Sequence, residues 1–127
     1  MADFAILHDY LIPISKADLN NEQEYDSYQI GAICDCYEEG NIPDLDAADI
    51  ILIGASEERG YGPGRKGPDA ADAIRREFFS LYYWHKEVKI ADVGNLRPGI
   101  ALTDTYAGLK TILAELINSS KTVIILG

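Results

Sequence analysis

Three short apolar runs constrain this chain more than anything else in it: IILIGA at residues 50 to 55, VKIADV at 88 to 93 and KTVIIL at 121 to 126. Runs of this length, bounded by Asp, Gly and Pro, fit strands covered on both faces, as in a parallel sheet. The segments between them carry helical periodicity. Pro68 suits a first helical position, and Asp69 and Asp72 fall in the first turn, where the helix dipole favours negative charge. A helix is predicted from there to about Trp84, with an apolar stripe of Ile74, Phe78, Leu81 and Tyr82 and with Arg75, Arg76 and Glu77 beside it. Gly94, Asn95, Pro98 and Gly99 predict a turn that closes the second strand. Thr103 or Asp104 can cap a second helix with a stripe of Tyr106, Leu109, Ile112, Leu113, Leu116 and Ile117, stopped by Asn118, Ser119 and Ser120. Strand, helix, strand, helix, strand predicts an α/β fold: a βαβαβ unit over residues 49 to 127, with right-handed crossovers and helices covering a parallel sheet.

Upstream, residues 1 to 27 sustain no period and read as an irregular lead-in. From 28 to 37, Ile30, Ala32, Cys34 and Cys36 alternate with polar residues and Gly, which predicts a half-buried strand, and EEGNIPDLDAAD is a loop after it. At 127 residues and 47% hydrophobic, residues 1 to 127 suit a single domain or part of one. The chain stops at the carboxyl end of a predicted buried strand, so it reads as a partial domain whose bare edges and apolar faces favour a homo-oligomer.

The charge balance, 21 Asp and Glu against 11 Lys and Arg, gives a formal net charge of −10. Such a surface repels phosphate backbones and anionic lipid, so nucleic acid and membranes are poor partners. The apolar runs are far shorter than a membrane span, and the start, MADFAILHDYLIPI, lacks a basic n-region, which together predict a cytoplasmic protein. Cys34 and Cys36 are the only cysteines, and their spacing in a strand disfavours a bridge, so two reduced thiols are expected. With His8 and His85 remote in sequence, the pair reads as buried small hydrophobes in preference to half a metal site.

Chemistry concentrates in the loop SEERGYGPGRKGP. Gly62, Gly64 and Gly67 satisfy GxGxxG, but the first glycine stands well past the strand end and Pro68 opens the helix after the last, so the dinucleotide reading is weak. A P-loop is excluded because Gly67, not Ser or Thr, follows Lys66. A structureless connection of this length in a compact domain is often functional. Elsewhere the bland readings prevail. His85 suits a helix end, and His8 beside Asp9 a surface. Tyr82, Tyr83 and Trp84 suit core or interface packing, and the adjacent pairs Glu38 with Glu39 and Glu57 with Glu58 diverge too much for paired acid–base work.

The string YGPGRKGPDA at residues 61 to 70, followed by Ile74 and Arg75, resembles the arginase, agmatinase and formimidoylglutamase signature, roughly R-P-G-x-R-x-G-P-x-x-I-R. Gly64, Arg65, Gly67 and Pro68 match it, with three extra residues before Ile74. KIADVGNL is similar to the family's D-x-G-D segment, with Asp92 and Gly94 in place and Asn95 where Asp is commoner. TVIILG looks like the strand before the family's Gly-Gly-Asp-His motif, whose His is the first ligand of a binuclear manganese site. The likeness is nearest to the formimidoylglutamase branch. It implies the N-terminal portion of a three-layer α/β/α fold with a parallel sheet, stopping before the metal ligands and inactive alone. It also implies an intact protein that uses manganese to hydrolyse a formimidoyl or guanidino C–N bond, formimidoylglutamate foremost, with Glu58, Arg59 and Arg65 meeting the substrate. No metal ligand or catalytic residue is expected within residues 1 to 127. The rival reading from a different class is a non-catalytic scaffold that keeps the fold without the metals.

Overall fold

The computed structural model describes residues 8–55, 70–97, 107, 108, 110–114 and 121–127. A 3-10 turn at His8–Tyr10 leads into strand β1 (Leu11–Ile12), followed by the short helices α1 (Lys16–Leu19) and α2 (Ile30–Ile33) and strand β2 (Asp35–Cys36). Strand β3 (Ile50–Gly54), helix α3 (Ala70–Phe79), strand β4 (Ile90–Leu96) and strand β5 (Thr122–Leu126) complete the order, with helical residues 107, 108 and 110–114 between the last two strands.

The three apolar runs lie parallel in one sheet, as their sequence predicts, but among the described residues β5 is an edge strand with Ile124 and Ile125 exposed, not a strand covered on both faces. β3 lies in the middle, with Ile50 opposite Ile90 of β4 and opposite Thr122 of β5. The other edge of β4 is shared by β2, parallel through Asp35 and Cys36, and by β1, antiparallel with Leu11 opposite Leu96. The fold is therefore mixed α/β with a mostly parallel open sheet.

Alternation along the strands builds two apolar clusters, one on each face. Ile51, Ile53, Ala91 and Val93 pack with Leu11, Leu45 and Ile112, the last from the predicted second helix. Leu52 packs on the opposite side with Ala71 and Phe79 of α3 and with Ile14, Leu19, Cys34 and Cys36. Ile51, Leu52 and Ile53 are almost wholly buried, and each such side chain contributes roughly 1.5–3 kcal/mol relative to exposure.

Four local expectations are corrected. The lead-in holds α1, capped by the Ser15 hydroxyl accepting from the Asp18 amide at 3.2 Å, and β1, which joins the sheet. The strand predicted over 28 to 37 is a helical turn, closed by the Cys34 amide donating to the Ile30 carbonyl at 2.9 Å, and only Asp35 and Cys36 are extended. Ile30, Ile33 and Cys34 also satisfy helical spacing, and the neighbouring chain decides between the two periods. The Leu81 carbonyl accepts from the Ile30 amide and the Tyr28 carbonyl from the Tyr83 amide, both within 2.9 Å. The same bonds explain why α3 ends at Phe79, short of Trp84: residues 81 to 83 pair sideways with 28 to 30. The buried face of α3 is Ala71, Arg75 and Phe79, with Phe78 half-buried, while Ile74, Leu81 and Tyr82 of the predicted stripe are exposed.

The fourth correction concerns Gly94 and Asn95, which lie inside β4 and not in a turn after it. Leu52 faces Asp92 and Gly54 faces Asn95, so β3 passes through Ile53 alone where β4 passes through Val93 and Gly94. This is a bulge, an extra residue that shifts the alternation of the strand beyond it. Without it Asp92 and Asn95 would point to opposite faces; with it both reach the side covered by α3. Gly94 holds φ at 87°, and a Cβ there would run into the Ile12 carbonyl oxygen of β1. Gly94→Ala is therefore expected to cost about 1–3 kcal/mol, read as a lowered urea midpoint; an unchanged midpoint would contradict the bulge geometry.

Candidate functional site

Parallel sheets carry their ligand sites outside the carboxyl ends of the strands, and the charged interior of this protein lies there. α3 follows β3, so the first turns of the helix overlie those strand ends, and helical side chains lean toward the helix N-terminus. Arg75 thereby comes to rest over Gly54 and the bulge, fully buried. A Cβ on Gly54 would meet the Asn95 amide oxygen, the Ala71 methyl at 2.9 Å and Arg75 Nη1 at 3.1 Å, so only glycine leaves room for the network.

A guanidinium has five N–H donors in a fixed fork, and all of those of Arg75 are engaged. Nε donates to Asp92 Oδ2 at 2.7 Å and Nη2 to Asp92 Oδ1 at 2.9 Å, a bidentate pair with both residues wholly buried. Nη2 also donates to the Gly94 carbonyl at 3.0 Å, and Nη1 to Asp72 Oδ1 at 3.0 Å and to Asn95 Oδ1. Asp92 Oδ1 in turn accepts from the Gly94 amide at 2.9 Å, tying the carboxylate to the bulge. Burial pushes the Asp92 carboxyl above its ordinary value, against the opposing pull of Arg75 and the Gly94 amide. Burial also works against the Arg75 charge, but bonding to Asp92 and Asp72 outweighs it and holds the guanidinium above its usual value.

Beside the network opens a cleft of about 480 Å³, lined by Pro13, Ile14, Ser15, Asp18, Leu19, Glu38, Glu39, Asp72, Arg76 and Asn95. Asn95, whose amide oxygen accepts from Arg75, is shared by the network and the cleft lining. Glu38 is anchored by accepting from the Lys16 amide at 3.0 Å. Glu38 and Glu39, adjacent in sequence, both line this cleft. Four carboxylates and one guanidinium line the cleft, so its field favours a cationic group over an anion.

Of the residues singled out in sequence, Asp92, Gly94 and Asn95 are brought together. Glu58, Arg59, Gly64, Arg65, Gly67 and Pro68 lie outside the described residues, as does the GxGxxG match. His8 and His85 are exposed, 3.9 Å from Asp9 and 3.6 Å from Glu87 respectively. Tyr82 and Trp84 are exposed and take no part in the core. Among the described residues, no group of three or more His, Cys, Asp or Glu is arranged to hold a metal ion. Arg75 and Arg76, which the apolar periodicity left as flanking charge, and Asp72, read only as a first-turn acid, build the network and the cleft. The signal for Arg75 was Asp92 itself: a carboxylate within a buried strand needs a buried cation, and an arginine one helix earlier is within reach.

Cys34 and Cys36 are both buried free thiols, and the Cys36 thiol donates to the Cys34 carbonyl at 3.6 Å. Interaction with Cys36 and burial push the Cys34 thiol far above the ordinary cysteine value, so little thiolate forms to react. In the native protein at pH 8 both thiols are expected to resist a disulfide reagent that titrates two per chain in denaturant. Rapid native-state labelling of either would contradict the packing. No helix among the described residues is long and apolar enough to cross a membrane. Compared with known proteins, the chain matches no family model, no curated protein and no solved structure at a significant level.

Proposed function

We propose that this chain is the N-terminal portion of a ureohydrolase-like protein with an arginase-type three-layer α/β/α fold. Its intact form would act in the cytoplasm on a formimidoyl or guanidino C–N bond, with formimidoylglutamate the leading substrate. The observation that carries the reading is the bidentate pair between Arg75 and Asp92. The helix bearing Ile74 and Arg75 and the DVGN segment are two separate stretches of the resemblance. They bond to each other at the carboxyl ends of parallel strands, beside a cleft whose charge suits an amidine or guanidinium.

In this reading Arg75 and Asp92 hold the bulge and Asn95 in place. Asp72, Glu38 and Glu39 attract the cationic end of the substrate, and Arg76 with Arg65 meets its carboxylate. A pair of manganese ions would supply an activated water to such a reaction. The described residues do not provide a donor set for it, and the roles assigned to this chain are binding and positioning.

The test is hydrolysis by the full-length encoded protein, supplied with manganese. Release of formamide from formimidoylglutamate, or of urea from a guanidino compound, is expected. Arg65→Ala is expected to lower kcat/KM by about ten- to a hundredfold, the value of a lost charged hydrogen bond, with little change in Tm. Hydrolysis of neither class of compound would remove the enzyme reading in favour of a scaffold that keeps the fold.

A further inference from the structure

The segments 28–33 and 81–84 expose large apolar side chains to solvent. Trp84 is 83% exposed, Tyr82 68%, Tyr28 65%, Leu81 56% and Ile33 36%. The two segments are held against each other by the bonds from the Ile30 and Tyr83 amides, by an antiparallel bridge between Gln29 and Tyr82, and by the Gln29 side chain donating to the Ser80 carbonyl at 3.0 Å. The Trp84 and His85 rings touch at a tilt of 39°, with centroids 4.5 Å apart. The backbone ribbon that carries these side chains is therefore held in place, which spares the cost of ordering it on contact.

Next to the ribbon, and sharing Ile33 and Tyr83 with it, runs a groove of about 360 Å³ lined also by Ala47, Val88, Ile90 and Ala91. Its charged lining residues are Asp35 and Asp44, joined by the Asp44 amide donating to Asp35 Oδ2 at 2.7 Å, and Lys86 and Lys89. Trp84 lies in the chain between Tyr83 and Lys86, both of which line the groove, so an exposed indole stands beside an apolar groove that carries charges of both signs, and two copies can complement each other there. That is the requirement for a two-fold interface, in which each copy gives and receives the same contact.

We propose that this face pairs two copies of the chain, Trp84 of each copy entering the groove of the other while Lys86 and Lys89 meet Asp35 and Asp44 across the axis. The area is adequate. At about 150–250 Å² for a fully buried aromatic, Tyr28, Tyr82 and Trp84 at their exposures offer roughly 400 Å². Leu81, Ile33 and the groove walls extend this toward the ~800 Å² that each partner of a stable complex covers. Charge selects the same face. The chain carries a net charge of −10, so copies repel over most of their surface, whereas Lys86 and Lys89 relieve that repulsion here.

Trp84 is the sole tryptophan, so its fluorescence reports this contact directly. Sedimentation equilibrium of the chain should give a dimer mass at tens of micromolar, with Trp84 emission moving to shorter wavelength as the dimer forms. Trp84→Glu and, independently, Tyr82→Arg should each weaken association at least a hundredfold while leaving far-UV circular dichroism unchanged. A chain that stays monomeric to hundreds of micromolar overturns the proposal, as does an open-ended series of larger masses. So does a dimer that survives both substitutions, or one whose Trp84 emission does not shift.

Discussion

The buried bidentate bond between Arg75 and Asp92 is the contact on which the carboxyl end of this sheet depends. Neither residue is tolerable in the interior alone, because an isolated buried charge costs several kcal/mol even after relaxation. Each therefore fixes the position of the other, and the two sit on elements that the apolar clusters bring together only broadly. The pairing dictates which face α3 turns inward, displacing Ile74 to the surface, and it requires glycine at position 54. It also holds the bulge: Asp92 accepts from the Gly94 amide and Arg75 donates to the Gly94 carbonyl, so both backbone groups of the extra residue are satisfied within one network.

The bulge is the step from fold to site. By moving Asn95 to the same face as Asp92 it lets one guanidinium gather Asp72, Asp92 and Asn95, and it brings Asn95 into the lining of the acidic cleft. β1 runs antiparallel beside this part of β4, and its carbonyl at Ile12 is close enough to forbid a side chain on Gly94. The segment after β1 supplies Pro13, Ile14 and Ser15 to the cleft wall, so a stretch that shows no period in sequence is structurally part of the site.

What could be read from sequence follows from how local each determinant is. The three parallel strands were legible because IILIG, IADVGNL and TVIIL are apolar at nearly every position, although only the first two are mostly buried and TVIIL forms an exposed edge. The helix after β3 was legible in its existence but not in its face. A periodicity that counts only apolar residues cannot include Arg75, whose burial depends on a strand residue 17 positions away. The turn at Ile30–Ile33 and the early end of α3 were hidden for the same reason, since each depends on hydrogen bonds between segments about 50 residues apart, such as Gln29 with Ser80. The grouping of Asp92, Gly94 and Asn95 was visible through the resemblance, but its physical role required the bulge to be seen.

A double-mutant cycle on Arg75 and Asp92, read by urea unfolding, tests most directly whether this pair organises the carboxyl end of the sheet. Arg75→Met and Asp92→Leu should each cost about 3–5 kcal/mol, because each leaves the other charge buried and uncompensated. The double substitution should cost far less than their sum, with a coupling energy of about 2–3 kcal/mol. Additive losses, with no coupling beyond about 0.5 kcal/mol, would mean that the two charges do not depend on each other and would contradict their central place in the fold.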